Sequence, residues 1–99
     1  MTLPAINKDH ILSAIQEIDK EGVRKGRHSS TYDLIYEGKP YPPKLVISIA
    51  TRFLTGEELD PDGFDGGQGT DSFKLIRSLG FDISKKNNIK SIIRQFIDQ

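Results

Sequence analysis

The residues best suited to binding chemistry lie in a basic segment between positions 24 and 32. Arginine and lysine neutralise phosphate, serine and threonine hydroxyls donate to phosphate oxygens, and tyrosine can stack on a nucleic-acid base. The segment therefore suits a loop that contacts DNA. The same composition also fits a solvated loop between a helix and a strand, which is the alternative interpretation. The candidate DNA-binding residues of this segment are Arg24, Lys25, Arg27, His28, Ser30, Thr31 and Tyr32.

A second candidate site lies at residues 38–44, where two prolines lead directly into a predicted helix. Lys44 would lie in the first helical turn, where the helix dipole disfavours a cation by roughly 0.3 to 1 kcal/mol. A bound anion would reverse that penalty, because the free amide groups of a helix start bind phosphate. In the alternative interpretation Lys44 is exposed and the prolines pack against Tyr41. Lys39, Tyr41 and Lys44 complete the candidate DNA-binding set.

The sequence contains no recognisable catalytic or metal-binding set. His10 and His28 lack both a nucleophile partner and a two-histidine metal spacing, and the absence of cysteine excludes a thiolate zinc site. The acidic stretch 57–65 departs from a calcium loop, since phenylalanine and aspartate occupy a ligand position and the glycine position. Residues 66–69 lack the Gly-Lys-Ser/Thr ending of a phosphate-binding loop. We therefore expect a non-enzymatic module without metal, cofactor or nuclease activity.

The elements that must position these segments begin with a helix over residues 8–21. Asn7 is a suitable N-cap, with Ile6 and Ile11 on either side as a hydrophobic staple, and Gly22 is a suitable stop. Residues 31–41 predict a small β-hairpin that turns at Glu37, Gly38 and Lys39.

The second half of the chain predicts further helices and one strand. A central helix runs from Pro43 towards Gly56, and its helical spacing places Leu45 and Phe53 in the core. A third helix, capped by Thr70 or Asp71, ends at Gly80. Residues 81–83 alternate like a short strand, and Asn88 opens a last helix. The predicted fold is α+β, with about four helices and a short β-hairpin or three-stranded sheet.

Length and composition limit the classes of protein that are compatible with this chain. Its 99 residues correspond to one domain with a single small core. The 14 basic and 14 acidic residues give zero net charge, so a DNA partner would need the local separation of the basic and acidic segments. No run approaches the roughly 20 apolar residues of a membrane span. The lack of cysteine and of a leader pattern predicts a soluble, cytoplasmic protein without a membrane partner.

Three stretches together resemble a known module. They are residues 30–46, which include Tyr-Pro-Pro-Lys at a helix entry, residues 64–67, Phe-Asp-Gly-Gly, and residues 79–81, Leu-Gly-Phe. Over roughly residues 6–84 the chain resembles the N-terminal head domain of McrA-like, HNH-containing restriction endonucleases. Similar modules precede other effector domains in bacterial anti-phage proteins, including type IV restriction systems that attack modified DNA.

The resemblance implies an accessory domain of a modular DNA-targeting protein, here residues 1–84, followed by a C-terminal helix at residues 85–99 that can lead into a further domain. The family's HNH motif and its modified-base and sulfur-binding pockets lie in separate domains, so no catalytic residue transfers to this chain. Residues 41–44 match the sequence signature of the family, and the resemblance implies no further role for them.

Two functions are compatible with these features. The first is a DNA-binding module of a restriction or anti-phage defence protein, acting on double-stranded DNA that can carry base modifications. The second is a protein-interaction module that docks an effector domain or subunit, or self-associates, through the apolar face of the last helix. The residues on that face are Ile89, Ile92, Ile93, Phe96 and Ile97.

Overall fold

The computed structural model describes residues 3–28, 31–67 and 69–86, which form an α+β fold and confirm the predicted class. Three α-helices and a three-stranded sheet follow the predicted order, with a short 3₁₀ turn inserted in the acidic loop. The predicted count of about four helices is too high for this part of the chain. The fourth helix, predicted from Asn88, lies outside the described residues. The elements are α1 (Lys8–Glu21), β1 (Tyr32–Tyr36), β2 (Lys39–Tyr41), α2 (Pro43–Thr55), the 3₁₀ turn (Pro61–Gly63), α3 (Asp71–Ser78) and β3 (Asp82–Lys85).

Helix α1 begins and ends where the sequence predicts. The Asn7 side chain accepts a hydrogen bond from the His10 amide at 3.1 Å, and the His10 ring accepts one from the Asn7 amide at 2.9 Å. Ile6 and Ile11 flank this cap and are buried, as expected of a hydrophobic staple. Gly22 ends the helix with a positive φ of 81°, a conformation that glycine adopts without strain. His10 is therefore part of the helix cap.

The sheet is antiparallel throughout, with β1 in the centre and β2 and β3 at the edges. Glu37 and Gly38 form a two-residue hairpin turn with φ values of 51° and 79°, the positive angles that match the strand twist of such hairpins. Leu34 lies opposite Tyr41 on one side and Ile83 on the other, and it is fully buried. This register directs the same face of the sheet towards the helices.

Helix α2 is the central element and contacts α1, α3, β1 and the 3₁₀ turn. Every residue from Leu45 to Thr51 is buried, so the helix is covered on all sides over nearly two turns. The prediction that Leu45 lies in the core is confirmed, but the same prediction for Phe53 is wrong, because Phe53 is 47% exposed. Helical spacing cannot select a buried face on a helix that is buried all round. The buried stretch of α2 ends at Thr51, and the last turn of the helix extends beyond the core.

No helix within the described ranges is long and apolar enough to cross a bilayer.

Candidate functional site

A cavity of about 400 Å³ lies where the basic segment, the start of α2 and the loop before α3 meet. The basic segment and the start of β1 contribute Gly26, Arg27, His28, Thr31 and Tyr32. The entry to α2 contributes Pro42, Pro43 and Lys44. The loop after α2 and helix α3 contribute Pro61, Asp62, Gly66, Gly67 and Phe73. The structure thus brings five of the predicted site residues, from two separate segments, to one concave surface.

The entry to α2 forms a rigid wall of this cavity. Pro42 is the N-cap and Pro43 the first helical residue, and both prolines are buried. Pro42 has no side chain that can cap the helix, and the first turn of α2 contains no acidic residue. The amide groups of a first helical turn have no partner within the helix, so this end of α2 carries partial positive charge.

Lys44 connects the helix start to the acidic loop. Its ammonium group donates a hydrogen bond to the Pro61 carbonyl at 2.6 Å and lies 4.9 Å from the centre of the Phe64 ring. Its aliphatic chain passes so close to Gly66 that a Cβ built on this glycine would lie 3.0 Å from the Lys44 Cγ. A side chain at position 66 would therefore require the Lys44 chain to shift by a few tenths of an ångström. Lys44 is half-buried and held in place, with its charge at the edge of the cavity.

Arg27 is anchored to α2 from the basic segment. Its amide donates to the Arg24 carbonyl at 3.0 Å, which closes a turn in which Gly26 has a φ of 78°. Its guanidinium donates to the hydroxyl of Ser48 at 3.1 Å, and Ser48 is fully buried. One of the five guanidinium N–H groups is used in this bond, so the side chain keeps donors for a ligand. The neighbouring His28 is exposed at the rim.

Tyr32 and Phe73 supply the aromatic part of the cavity. Their rings meet edge to face, with centroids 5.4 Å apart and an interplanar angle of 86°. Phe73 is buried at 3% exposure, whereas Tyr32 is half-buried. The buried Phe73 therefore fixes the orientation of the Tyr32 ring, which stays accessible.

The other predicted site residues that the structure describes do not line the cavity. Arg24 is bound through both guanidinium nitrogens to the Glu58 carboxylate, at 2.6 and 2.8 Å. This hydrogen bonding, with the attraction between the two charges, raises the pKa of Arg24 and lowers that of Glu58. Lys25 and Lys39 are exposed and do not line the cavity. Ser30 lies outside the described residues.

Tyr41 is directed into the protein. Its side chain is 3% exposed, and its hydroxyl donates a hydrogen bond to the Asp19 carboxylate at 2.6 Å. A buried ring offers no face to a base in this conformation, which counts against the predicted stacking role of Tyr41. Its neighbours Pro42 and Pro43 are also buried, so residues 41–43 of the family signature are largely removed from solvent.

Sequence reasoning missed two features of this region. Asp62 reaches the cavity from the acidic loop, which the sequence indicates only as a solvated turn. Glu17 and Arg52 join Arg24 and Glu58 in an ion-pair cluster, in which Glu17 binds Arg52 directly and Arg24 at 3.5 Å. The Arg24–Glu58 and Glu17–Arg52 pairs link residues 34 and 35 positions apart, so no local spacing could have identified them.

Within the part of the chain that the structure describes, no group of three or more histidine or acidic side chains is arranged to hold a metal ion.

Comparison with known proteins identifies the family of this fold. The chain matches the ScoMcrA-like, N-terminal head domain over residues 4–85, which is most of its length and includes every described element. No curated protein and no solved structure matches it with significant similarity. The match extends over the residues that carried the resemblance to head domains and confirms it. This chain therefore belongs to the family of ScoMcrA-like N-terminal head domains.

Proposed function

We propose that this head domain is a non-catalytic DNA-binding module of a restriction or defence protein. The match to the ScoMcrA-like, N-terminal head domain supports the association with a restriction system. The observation that carries the DNA-binding part is the meeting of Arg27, His28 and Lys44 around one cavity. We call the surface formed by these three residues with Thr31 and Tyr32 the basic face.

The charge balance of the basic face favours an anionic ligand. Among the described lining residues, Arg27, His28 and Lys44 are basic, and Asp62 is acidic. The acidic residues 57 and 58 lie outside the cavity, where Glu58 is bound by Arg24. A domain with zero net charge can therefore present a positive surface to the phosphate backbone.

The contributions of the predicted residues to DNA binding should be unequal. Arg27 and Lys44 lie at the cavity and should each make a phosphate contact. Arg24 must give up part of its bonding to Glu58 before it can bind phosphate, so it should contribute less. Tyr32 should contribute through its ring rather than through charge.

The first test measures the affinity for duplex DNA and its dependence on salt. We expect Arg27→Gln and Lys44→Gln each to weaken binding to all duplex sequences and to lower the slope of log affinity against log salt by about one contact. Fluorescence anisotropy with a labelled duplex at several salt concentrations measures both quantities. Lys8→Gln is the matched control, since Lys8 is exposed at the start of α1 and does not line the cavity.

Circular dichroism must first show that the variants are folded. If the folded double variant Arg27→Gln/Lys44→Gln bound duplex DNA at low salt as tightly as the parent, the basic face would not be the DNA-binding surface. Paired methylated and unmethylated duplexes in the same assay test whether the module reads a base modification.

A protein-interaction module is the second candidate, and one observation favours it. Phe53 and Leu54 are 47% and 41% exposed next to each other at the end of α2. Adjacent exposed apolar side chains of this size often mark contact surfaces. Sedimentation of the parent and of Phe53→Ser/Leu54→Ser over a range of concentrations tests self-association. A parent that remains monomeric up to high concentration would argue against self-association through these residues.

A further inference from the structure

We propose that the cavity of the basic face binds one unstacked nucleotide of a DNA strand, a specificity that rests on the proposed DNA-binding function. Phosphate contacts position a protein on an intact duplex and do not require a cavity of nucleotide size. This surface contains a cavity of about 400 Å³, within the range of roughly 300 to 1,000 Å³ that holds small molecules. A DNA base can enter such a cavity only by leaving the base stack.

The lining of the cavity includes groups against which a base can pack. The Tyr32 ring lines it and is held by the edge-to-face contact to Phe73. Pro42 and Pro43 also contribute to the lining, at the rigid start of α2. Aromatic rings and flat apolar groups are the surfaces on which unstacked bases pack, and they accept all four bases.

The polar groups of the cavity match the remaining parts of a nucleotide. The Asp62 carboxylate can accept hydrogen bonds from the amino group of adenine, cytosine or guanine, and the Thr31 hydroxyl can donate or accept. Arg27 and Lys44 lie on the same lining and can bind the phosphates on either side of the unstacked base. An acidic group among basic ones is not expected of a site for phosphate alone, but it is expected where a base edge is also bound.

The experiment compares three DNA probes of otherwise identical sequence with the unmodified protein. One is a matched duplex, the second contains a single unpaired nucleotide, and the third has an abasic site at that position. We expect the unpaired-nucleotide probe to bind about tenfold more tightly than the matched duplex, and the abasic probe to lose this gain. The abasic probe controls for DNA bending, because its backbone is equally flexible but offers no base.

Substitutions of residues that line the cavity test which side chains cause the preference for the unpaired nucleotide. Tyr32→Ala should abolish the preference for the unpaired nucleotide without changing the salt slope, whereas Tyr32→Phe should retain it because the ring is kept. Asp62→Asn should change the order in which the four bases are preferred at the unpaired position. Thymine, which lacks an amino group, should gain relative to the others.

The outcomes separate this inference from the proposed function. Equal binding of all three probes that still depends on salt and on Arg27 would overturn the inference and leave DNA binding intact. Absence of binding to every probe at low salt would overturn both. A free deoxynucleoside monophosphate serves as competitor. If it bound as tightly as the unpaired-nucleotide probe, the cavity would be a site for free nucleotides, and the assignment to a DNA strand would be overturned.

Discussion

Tyr41 was predicted from its residue type to contact DNA, but its surroundings give it a structural role. The ring is buried between the sheet and the helices, and its hydroxyl is bound to the Asp19 carboxylate. Burial, followed by this hydrogen bond and the negative charge of Asp19, raises the pKa of Tyr41 to about 12. The neutral phenol is therefore strongly favoured in the folded protein. The hydrogen bond connects β2 to α1 at the point where the chain enters α2.

Tyr41→Phe should lower the free energy of unfolding by about 1 to 2 kcal/mol at neutral pH, because it removes a hydrogen bond to a charged group. Since the folded-state pKa lies above the ordinary value of 10.0, the contribution of the phenol is complete below that value and is lost as the pH rises through about 12. Urea unfolding over this range should show the difference between variant and parent shrinking.

Tyr32→Phe is the control for this prediction, since it retains Tyr41 and should follow the alkaline profile of the parent. A gap between Tyr41→Phe and the parent that stayed constant up to about pH 12 would show that titration of this hydroxyl is not coupled to folding.

In helix α2, helical spacing predicted the core position of Leu45 correctly and that of Phe53 wrongly. Leu45 is 1% exposed in the first turns, where α1, α3 and the sheet surround the helix. Phe53 lies two residues beyond Thr51, in the last turn of α2, and is 47% exposed. Its ring instead lies 5.2 Å from the Arg52 guanidinium carbon. The extent of the surrounding core depends on tertiary packing, which the sequence of the helix does not encode locally.

Leu45→Ala and Phe53→Ala should therefore differ in their effects on stability. The first should cost about 2 to 5 kcal/mol, because it leaves a cavity in the core. The second should cost less than about 1 kcal/mol, because nearly half of the Phe53 surface is already exposed to water. Chemical denaturation of the two variants, each the control of the other, measures the difference. Equal losses would contradict the exposed placement of Phe53.

The ion-pair cluster connects α1, the basic segment, the C-terminal end of α2 and the loop that follows it. Glu17 binds Arg52 and Arg24, and Glu58 binds Arg24 and lies 3.3 Å from the Nε of Arg52. The side chain of Arg24 is 42% exposed, so solvent screens part of this attraction. The cluster holds the start of the basic segment against α1 and α2, close to the turn that presents Arg27.

Glu58→Gln should destabilise the fold by about 0.5 to 1 kcal/mol at pH 7 and low salt. The pKa of Glu58 is lowered by its hydrogen bond from Arg24, so its contribution is present above the ordinary value of 4.5 and is lost as the pH falls through the lower folded value. Urea unfolding should show a smaller effect at about pH 3, and in high salt, than at pH 7 and low salt. The exposed neighbour Glu57 supplies the control, since Glu57→Gln should have little effect. A destabilisation by Glu58→Gln that persisted unchanged at about pH 3 would contradict an electrostatic origin.

For the whole molecule, the sequence predicted those features that depend on local chemistry. The N-cap Asn7, the stops at Gly22 and Gly56 and the hairpin turn follow from backbone preferences of single residues, and the structure confirms them. The common position of the basic segment and Lys44 follows from local connectivity, since only a hairpin separates them along the chain. The contribution of Asp62 and Phe73 to the same cavity could not be predicted, because the loop after α2 returns to the cavity through long-range contacts of Lys44 with Pro61 and Phe64.

The extent of the folded unit is the last property that the structure makes testable. The predicted domain boundary at residue 84 falls inside β3, which continues to Lys85. Lys86 still belongs to the sheet region, since its amide donates to the Thr31 carbonyl at 2.6 Å and its ammonium group lies 3.0 Å from the Asp33 carboxylate. The buried core of the described residues runs from Ile6 to Phe81.

We therefore expect a chain that ends at Lys86 to melt at the same temperature as the full chain, since it keeps all of this core. A chain that ends at Gly80 loses Phe81 and the strand that pairs with β1, and its Tm should fall by more than about 10 °C. Thermal melts followed by circular dichroism compare the three chains, and sedimentation of the same samples shows whether residues 87–99 are needed for self-association. If the chain ending at Lys86 melted well below the full chain, residues 87–99 would be an integral part of the domain, because only their contacts could account for the lost stability.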